Sequence, residues 1–120
     1  GKVFLAHMAP GEASSLLTHS ALTSFTPHTI ADAKALLAAL PRIRTDGYAV
    51  EDGEYKIGLR SVSAPVYDRG GTLQYTVGVI GMFRSVRSEE FRHAIEAVTA
   101  TGRMISTALG YQEAPDRPAR

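Results

Sequence analysis

A chain of 120 residues is the size of one domain, large enough to bury around two thirds of the surface its unfolded form exposes. Hydrophobic residues at 44% and charged residues at 21% are ordinary globular composition, and a net charge of +1 leaves no electrostatic footprint for gripping a phosphate backbone. Cysteine is absent, which removes disulfides, thiolate zinc sites and thiol catalysis together, and no apolar run nears the roughly 18 residues that span a bilayer. With no secretory pattern at its start either, the chain is expected to be cytoplasmic, with no membrane partner.

In chain order, Gly1–Met8 reads like the inside of an apolar helix that has neither an initiator Met nor an N-cap residue, so a preceding segment is expected. Pro10-Gly11 punctuates it, and Glu12–His19 reads as a short second helix carrying Leu16 and Leu17. Ser20–His28 is polar and turn-rich. Thr29 is the expected cap of a longer helix, with Asp32 completing an approximate capping box. Ile30, Ala33, Leu36, Leu37, Leu40 and Ile43 follow at close to helical spacing. Pro41 should kink or restart that helix, and Gly47 should end it.

From Tyr48 the period changes to two. Tyr48–Val50 is a short strand candidate, Asp52-Gly53 a turn, and Leu59–Tyr67 and Thr72–Phe83 are longer strands flanking Asp68-Arg69-Gly70-Gly71. Ser88 caps the last helix, with Glu89 and Glu90 in its positive first turn. Phe91, Ile95, Val98, Gly102, Ile105 and Leu109 form one stripe along it, and Gly110 ends it. Gln112–Arg120, with two prolines and no periodicity, is expected to be a frayed tail. The order of elements is α+β with an antiparallel sheet.

The hairpin carries an argument of its own. A loop holding the four residues Asp68 to Gly71 sets Tyr67 opposite Thr72 and fixes which side chains share a face. One face then carries Val62, Ala64, Val66, Leu73, Tyr75, Val77 and Val79, and calls for helices. The other carries Leu59, Ser61, Ser63, Pro65, Tyr67, Gln74, Thr76, Gly78 and Ile80, a small and mixed set suited to water or to a ligand.

Catalytic and metal readings find little support. The four histidines stand apart, with no HExxH and no carboxylate–histidine cluster. Glu51, Asp52 and Glu54 lack the later bidentate Glu of a calcium loop. No GxSxG elbow surrounds Ser61 or Ser63, and an enzyme using Ser61 with a carboxylate has no base at a recognisable spacing. Gly78-Val79-Ile80-Gly81 lies within a strand, not in a phosphate-cradling loop. No enzyme activity, cofactor or metal is expected.

Thr26-Pro27-His28-Thr29-Ile30, then Gly47-Tyr48-Ala49-Val50, Glu51-Asp52-Gly53-Glu54, Gly58-Leu59, Ala64-Pro65-Val66-Tyr67-Asp68, Val79-Ile80-Gly81 and Ile105–Tyr111 form an ordered series of landmarks. The series resembles the C-terminal effector domain of the IclR family of bacterial transcriptional regulators, and Gly1–Ala6 looks like that family's Gly-Lys-Ala-Leu-Leu-Ala helix. The resemblance implies a GAF-like antiparallel sheet with helices on one face and a ligand cavity on the other. It implies that residues 1–111 are the C-terminal part of an effector-binding domain whose winged helix-turn-helix and first strands lie elsewhere. By the same likeness the ligand contacts fall on Glu51, Leu59, Ser61, Gly78 and Ile80. Gly78 and Ile80 stand where members that bind short oxo-acids carry hydroxyls. The partners so implied are a small organic effector (an organic acid or an aromatic compound), further copies of the chain in a dimer or tetramer, and DNA only through the missing N-terminal domain. A GAF- or PAS-like sensor serving another output is the alternative.

Overall fold

The computed structural model describes residues 1–113. It contains α1 (Lys2–Ala6), α2 (Pro10–Thr18), α3 (Ala33–Asp46), β1 (Ala49–Asp52), β2 (Arg60–Tyr67), β3 (Leu73–Gly81) and α4 (Glu89–Ala108). The strands form one antiparallel sheet in the order β1-β2-β3, so the class is α+β as expected. The tail expected over Gln112–Arg120 lies, from residue 114 onward, outside the described residues.

The first helices differ in detail from the sequence reading. α2 begins at Pro10 itself, because the first helical position has no use for the amide hydrogen that proline lacks. Thr29 does not cap α3. The cap is Asp32, whose carboxylate accepts from Lys34 N at 3.4 Å and Ala35 N at 3.2 Å, and Ile30 therefore precedes the helix. α3 also runs unbroken through Pro41. Its buried stripe of Leu36, Leu40 and Ile43 follows the helical period. Leu40 and Ile43 join Val3, Ala6, Ala13 and Ala49 in one core cluster. Arg44 Nε donates to the Ala6 carbonyl at 2.8 Å, satisfying an acceptor that the short helix α1 leaves open at its end.

The hairpin is where the expected register fails, and where two errors cancel. Gly71 N donates to Asp68 O at 3.0 Å and Asp68 N to Thr72 O at 2.9 Å, so the loop is Arg69–Gly71, one residue shorter than expected. Thr72 faces Asp68, and Tyr67 faces Leu73. Gly71 takes φ +82°, the left-handed residue that follows the tight turn of a three-residue hairpin loop. The Asp68 side chain accepts from Gly70 N at 2.9 Å and Thr72 N at 3.0 Å. The Gln74 amide, and then the Thr72 N–H, hold its carboxyl below the ordinary aspartate value.

A shorter loop alone would have turned β3 over relative to β2 and mixed the two faces. A β-bulge between Val66 and Tyr67 supplies the second shift, leaving Gln74 as the extra residue on β3, so that Val66 pairs with Tyr75 and Val62 with Val79. Parity is restored from Tyr75 onward. Leu73 is the exception. Paired with Tyr67, it turns away from the face assigned to it and packs against the α1–α3 cluster.

α4 lies on the Val62–Ala64–Val66 face and closes a second core with Phe91, Val98, Val77 and Phe83. Ser88 caps it, accepting from Phe91 N at 3.2 Å. The expected stripe holds for Phe91, Val98 and Gly102, but its C-terminal end rotates: Ile105 and Leu109 are 37% and 43% exposed, and Ser106 is buried at 3%. The bulge explains the hydroxyl. Tyr67 N donates to Ser106 Oγ at 2.9 Å, and Ser106 Oγ donates to Gly102 O at 2.7 Å, so a half-buried amide beside the bulge finds its partner on the helix. The opposite face is not bare throughout. Ala49, paired with Ser63, belongs to the α1–α3 cluster, so helices cover that face at its Ala49 end.

Candidate functional site

On the face away from α4, three strands each contribute one residue to a single row. Glu51 on β1 pairs with Ser61 on β2, which pairs with Ile80 on β3. The next row is Ala49, Ser63 and Gly78. Ser61 and Gly78 are therefore diagonal neighbours on one face, as the alternation predicts. Leu59 stands half-buried just before β2, two residues from Ser61. Four of the five residues singled out in the sequence thus share one face, and Leu59 stands next to it in the chain, with Glu51 and Ser61 half-buried and Ile80 63% exposed.

Glu51 is the organising group. Its Oε1 accepts from Glu54 N at 3.1 Å and Tyr55 N at 3.0 Å, and its Oε2 accepts from Ser61 Oγ at 3.1 Å. The carboxylate therefore holds the turn after β1 and ties it to β2.

A strap that sequence reasoning missed is fastened to the same turn. Thr26 Oγ1 donates to Gly53 O at 2.6 Å, and Thr29 Oγ1 donates to Glu54 O. Thr29 Oγ1 also accepts from Phe25 N at 3.1 Å and Thr26 N at 3.0 Å. The rings of Phe25 and Tyr55 meet at 5.2 Å between centroids. Threonine at both ends of Thr26-Pro27-His28-Thr29 was the available signal, since hydroxyls in turns serve the backbone. Lys2 at the start of α1 closes the arrangement, donating to Val50 O at 3.1 Å and pairing with Glu54.

On the reverse side of the sheet, Arg60 Nε lies 2.8 Å from Asp52 Oδ1. Its N–H is not aligned for a hydrogen bond there, so the contact is an ion pair by proximity. Arg60 Nη1 donates properly to Phe83 O at 2.8 Å. A separate concavity of about 760 Å³ at the start of α4 is lined by Arg84, Ser85, Ser88, Glu89, Glu90 and His93, none of them among the five residues of the patch. No group of three or more His, Asp or Glu among the described residues is placed to hold a metal ion.

Residues 1–107 match the family model described as the bacterial transcriptional regulator IclR C-terminal domain. The chain belongs to the IclR family. It is 33% identical over 115 residues to the HTH-type transcriptional repressor AllR of Escherichia coli K12, covering 96% of this chain and 42% of AllR. It thus spans less than half the length of the curated relatives it matches. The crystal structure of the C-terminal domain of E. coli KdgR superposes with a TM-score of 0.83 at 28% identity, covering 92% of this chain and 67% of that one. The Thermotoga maritima IclR structure gives 0.82 at 31% identity, over 92% and 44%. AllR is a transcriptional repressor and KdgR a transcriptional regulator. No helix among the described residues is long and apolar enough to cross a membrane.

Proposed function

We propose that this part of an IclR-family protein senses a small organic effector on the sheet face carrying Glu51, Leu59, Ser61, Gly78 and Ile80, and that it acts on transcription through a DNA-binding domain outside this sequence. The observation that carries the reading is the row Glu51–Ser61–Ile80, in which acidic, hydroxyl and apolar side chains from three strands face the same way. A few convergent polar groups beside apolar ones are the usual make-up of a small-molecule site. Occupancy can bias an attached domain only if the effector binds one conformation better than another. The strapped turn at Gly53–Tyr55 is suited to that role, because Glu51 touches both the turn and Ser61. The chain itself is read as non-catalytic, and its near-neutral charge leaves DNA contact to the other domain.

The test measures the affinity of the full-length protein for DNA from its own promoter region, with and without a panel of small metabolites. One or more metabolites should shift that affinity. Ile80→Glu, at an exposed position, should abolish the shift while leaving the melting temperature and ligand-free DNA affinity unchanged. A folded Ile80→Glu protein with an unaltered response would remove the site from this face.

A further inference from the structure

We infer that the molecule recognised here meets Glu51 and Ser61 with a hydrogen-bond donor, a hydroxyl or an amide N–H, and does not set a carboxylate against them. The inference rests on the proposed site and concerns its polarity. It follows from counting hydrogens. Glu51 Oε1 already receives two backbone N–H groups, and Oε2 receives the Ser61 hydroxyl. A carboxylate has no hydrogen to give, and a serine hydroxyl has one. That one is engaged at 3.1 Å. What the pair still offers is a lone pair on Glu51 Oε2 and the lone pairs of Ser61 Oγ. The pair can accept but cannot donate.

The cation beside this pair does not reverse its character. Lys2 Nζ gives two of its three hydrogens to the Val50 carbonyl and the Glu54 carboxylate, and the Glu54 charge offsets its own. Backbone amides on the outer edge of β3 lie in the plane of the sheet, not over the face. Ser63, one row along, retains a hydroxyl that can donate. A ligand carboxylate seated on it would lie about 7 Å along the strand from the row holding the Glu51 carboxylate, and like charges at that range in a half-buried site repel. A ligand hydroxyl suits either row, giving its hydrogen to Glu51 or Ser61 in the first or accepting from Ser63 in the second. The remaining neighbours, Ile80 and Leu59, call for an apolar body. Ile80 meets Ser61 across the strands.

The experiment titrates matched probe pairs into the full-length protein by saturation-transfer NMR: benzyl alcohol against benzoate, and isobutyramide against isobutyrate. The alcohol and the amide should each bind about tenfold tighter than the matching carboxylate, the scale of one hydrogen bond to a charged acceptor. Ser61→Ala should weaken them several-fold. Glu51→Gln should reverse the order. Its amide oxygen keeps the two backbone N–H groups and its NH₂ donates to Ser61, releasing the serine hydrogen for a carboxylate. Ser61→Ala leaves the turn contacts of Glu51 intact, so it decides the matter if Glu51→Gln melts early. Tighter carboxylate binding that is lost in Ser61→Ala overturns the polarity and leaves the site standing. No Ser61-dependent binding by any probe overturns the proposed site, and the polarity with it.

Discussion

Gly78 shows how the reason for a glycine can lie in the sheet itself. Its lack of a side chain suggests room for a larger ligand. A Cβ built there would meet Ser63 Oγ at 2.8 Å and the Val62 carbonyl oxygen at 2.8 Å, so β2 itself occupies that space. The serine could rotate away, but the carbonyl belongs to the sheet and cannot. Gly78→Ala should therefore destabilise by about 1–3 kcal/mol, the range for an overpacked site, and Ser63→Ala in the same chain should recover only part of the loss. Thermal or urea unfolding of the two variants checks this, and a Gly78→Ala protein as stable as the wild type would refute it. Glu51 shows the converse. The sequence marks it as an acidic contact, and only the structure reveals that three of its acceptor positions are filled from within the chain. The strap residues Thr26 and Thr29 were illegible as partners because their bonds reach residues 27 and 25 positions away. Local pattern favours the nearer explanation, a helix cap, and the helix takes Asp32 instead.

At the scale of elements, what was legible was what depends on parity. The division of β2 and β3 into an apolar and a mixed face survives the misjudged loop because the short loop and the bulge each move the register by one residue. Opposite partners were not legible, since turn type fixes them and the bulge leaves no strong mark in the sequence. The same bulge explains why the buried side of α4 ends in the Ser106 hydroxyl. Gly102 lies where the helix packs tightly on the sheet, and a Cβ there would stand 2.9 Å from the Pro65 carbonyl oxygen and 3.3 Å from Ala64 Cβ. In a free helix Gly→Ala would stabilise by about 1 kcal/mol. Here the contact should outweigh propensity, so Gly102→Ala should lower stability and push α4 off Tyr67 N. The expected signature is faster amide exchange at Tyr67 alongside a lower melting temperature. An increase in melting temperature would show that helix propensity dominates and that α4 can slide without cost.

For the whole molecule, the sheet order β1-β2-β3 leaves β3, nine residues long, as an outer strand. Its side chains do not blunt that edge. Tyr75 is 61% exposed, Val79 42% and Ile80 63%, with Met82 just beyond at 83%, and no Lys, Arg, Asp, Glu or Pro lies within Leu73–Gly81. Edges that stay monomeric usually carry such residues or are covered. Any chain able to add a strand gains main-chain hydrogen bonds and buries apolar side chains on both faces at once. Residues 1–120 alone should therefore self-associate, with a light-scattering mass above the protomer's 12.9 kDa that rises with concentration. Tyr75→Lys should return the mass toward one protomer, because a charge on an edge strand disfavours pairing with a second copy, and at an exposed position it should cost little stability. Association that Tyr75→Lys leaves untouched would place the contact elsewhere, with the exposed Met104 of α4 and Leu109 just after it next to be substituted. A single-protomer mass at every concentration would show that the β3 edge is protected by something its sequence and exposure do not reveal.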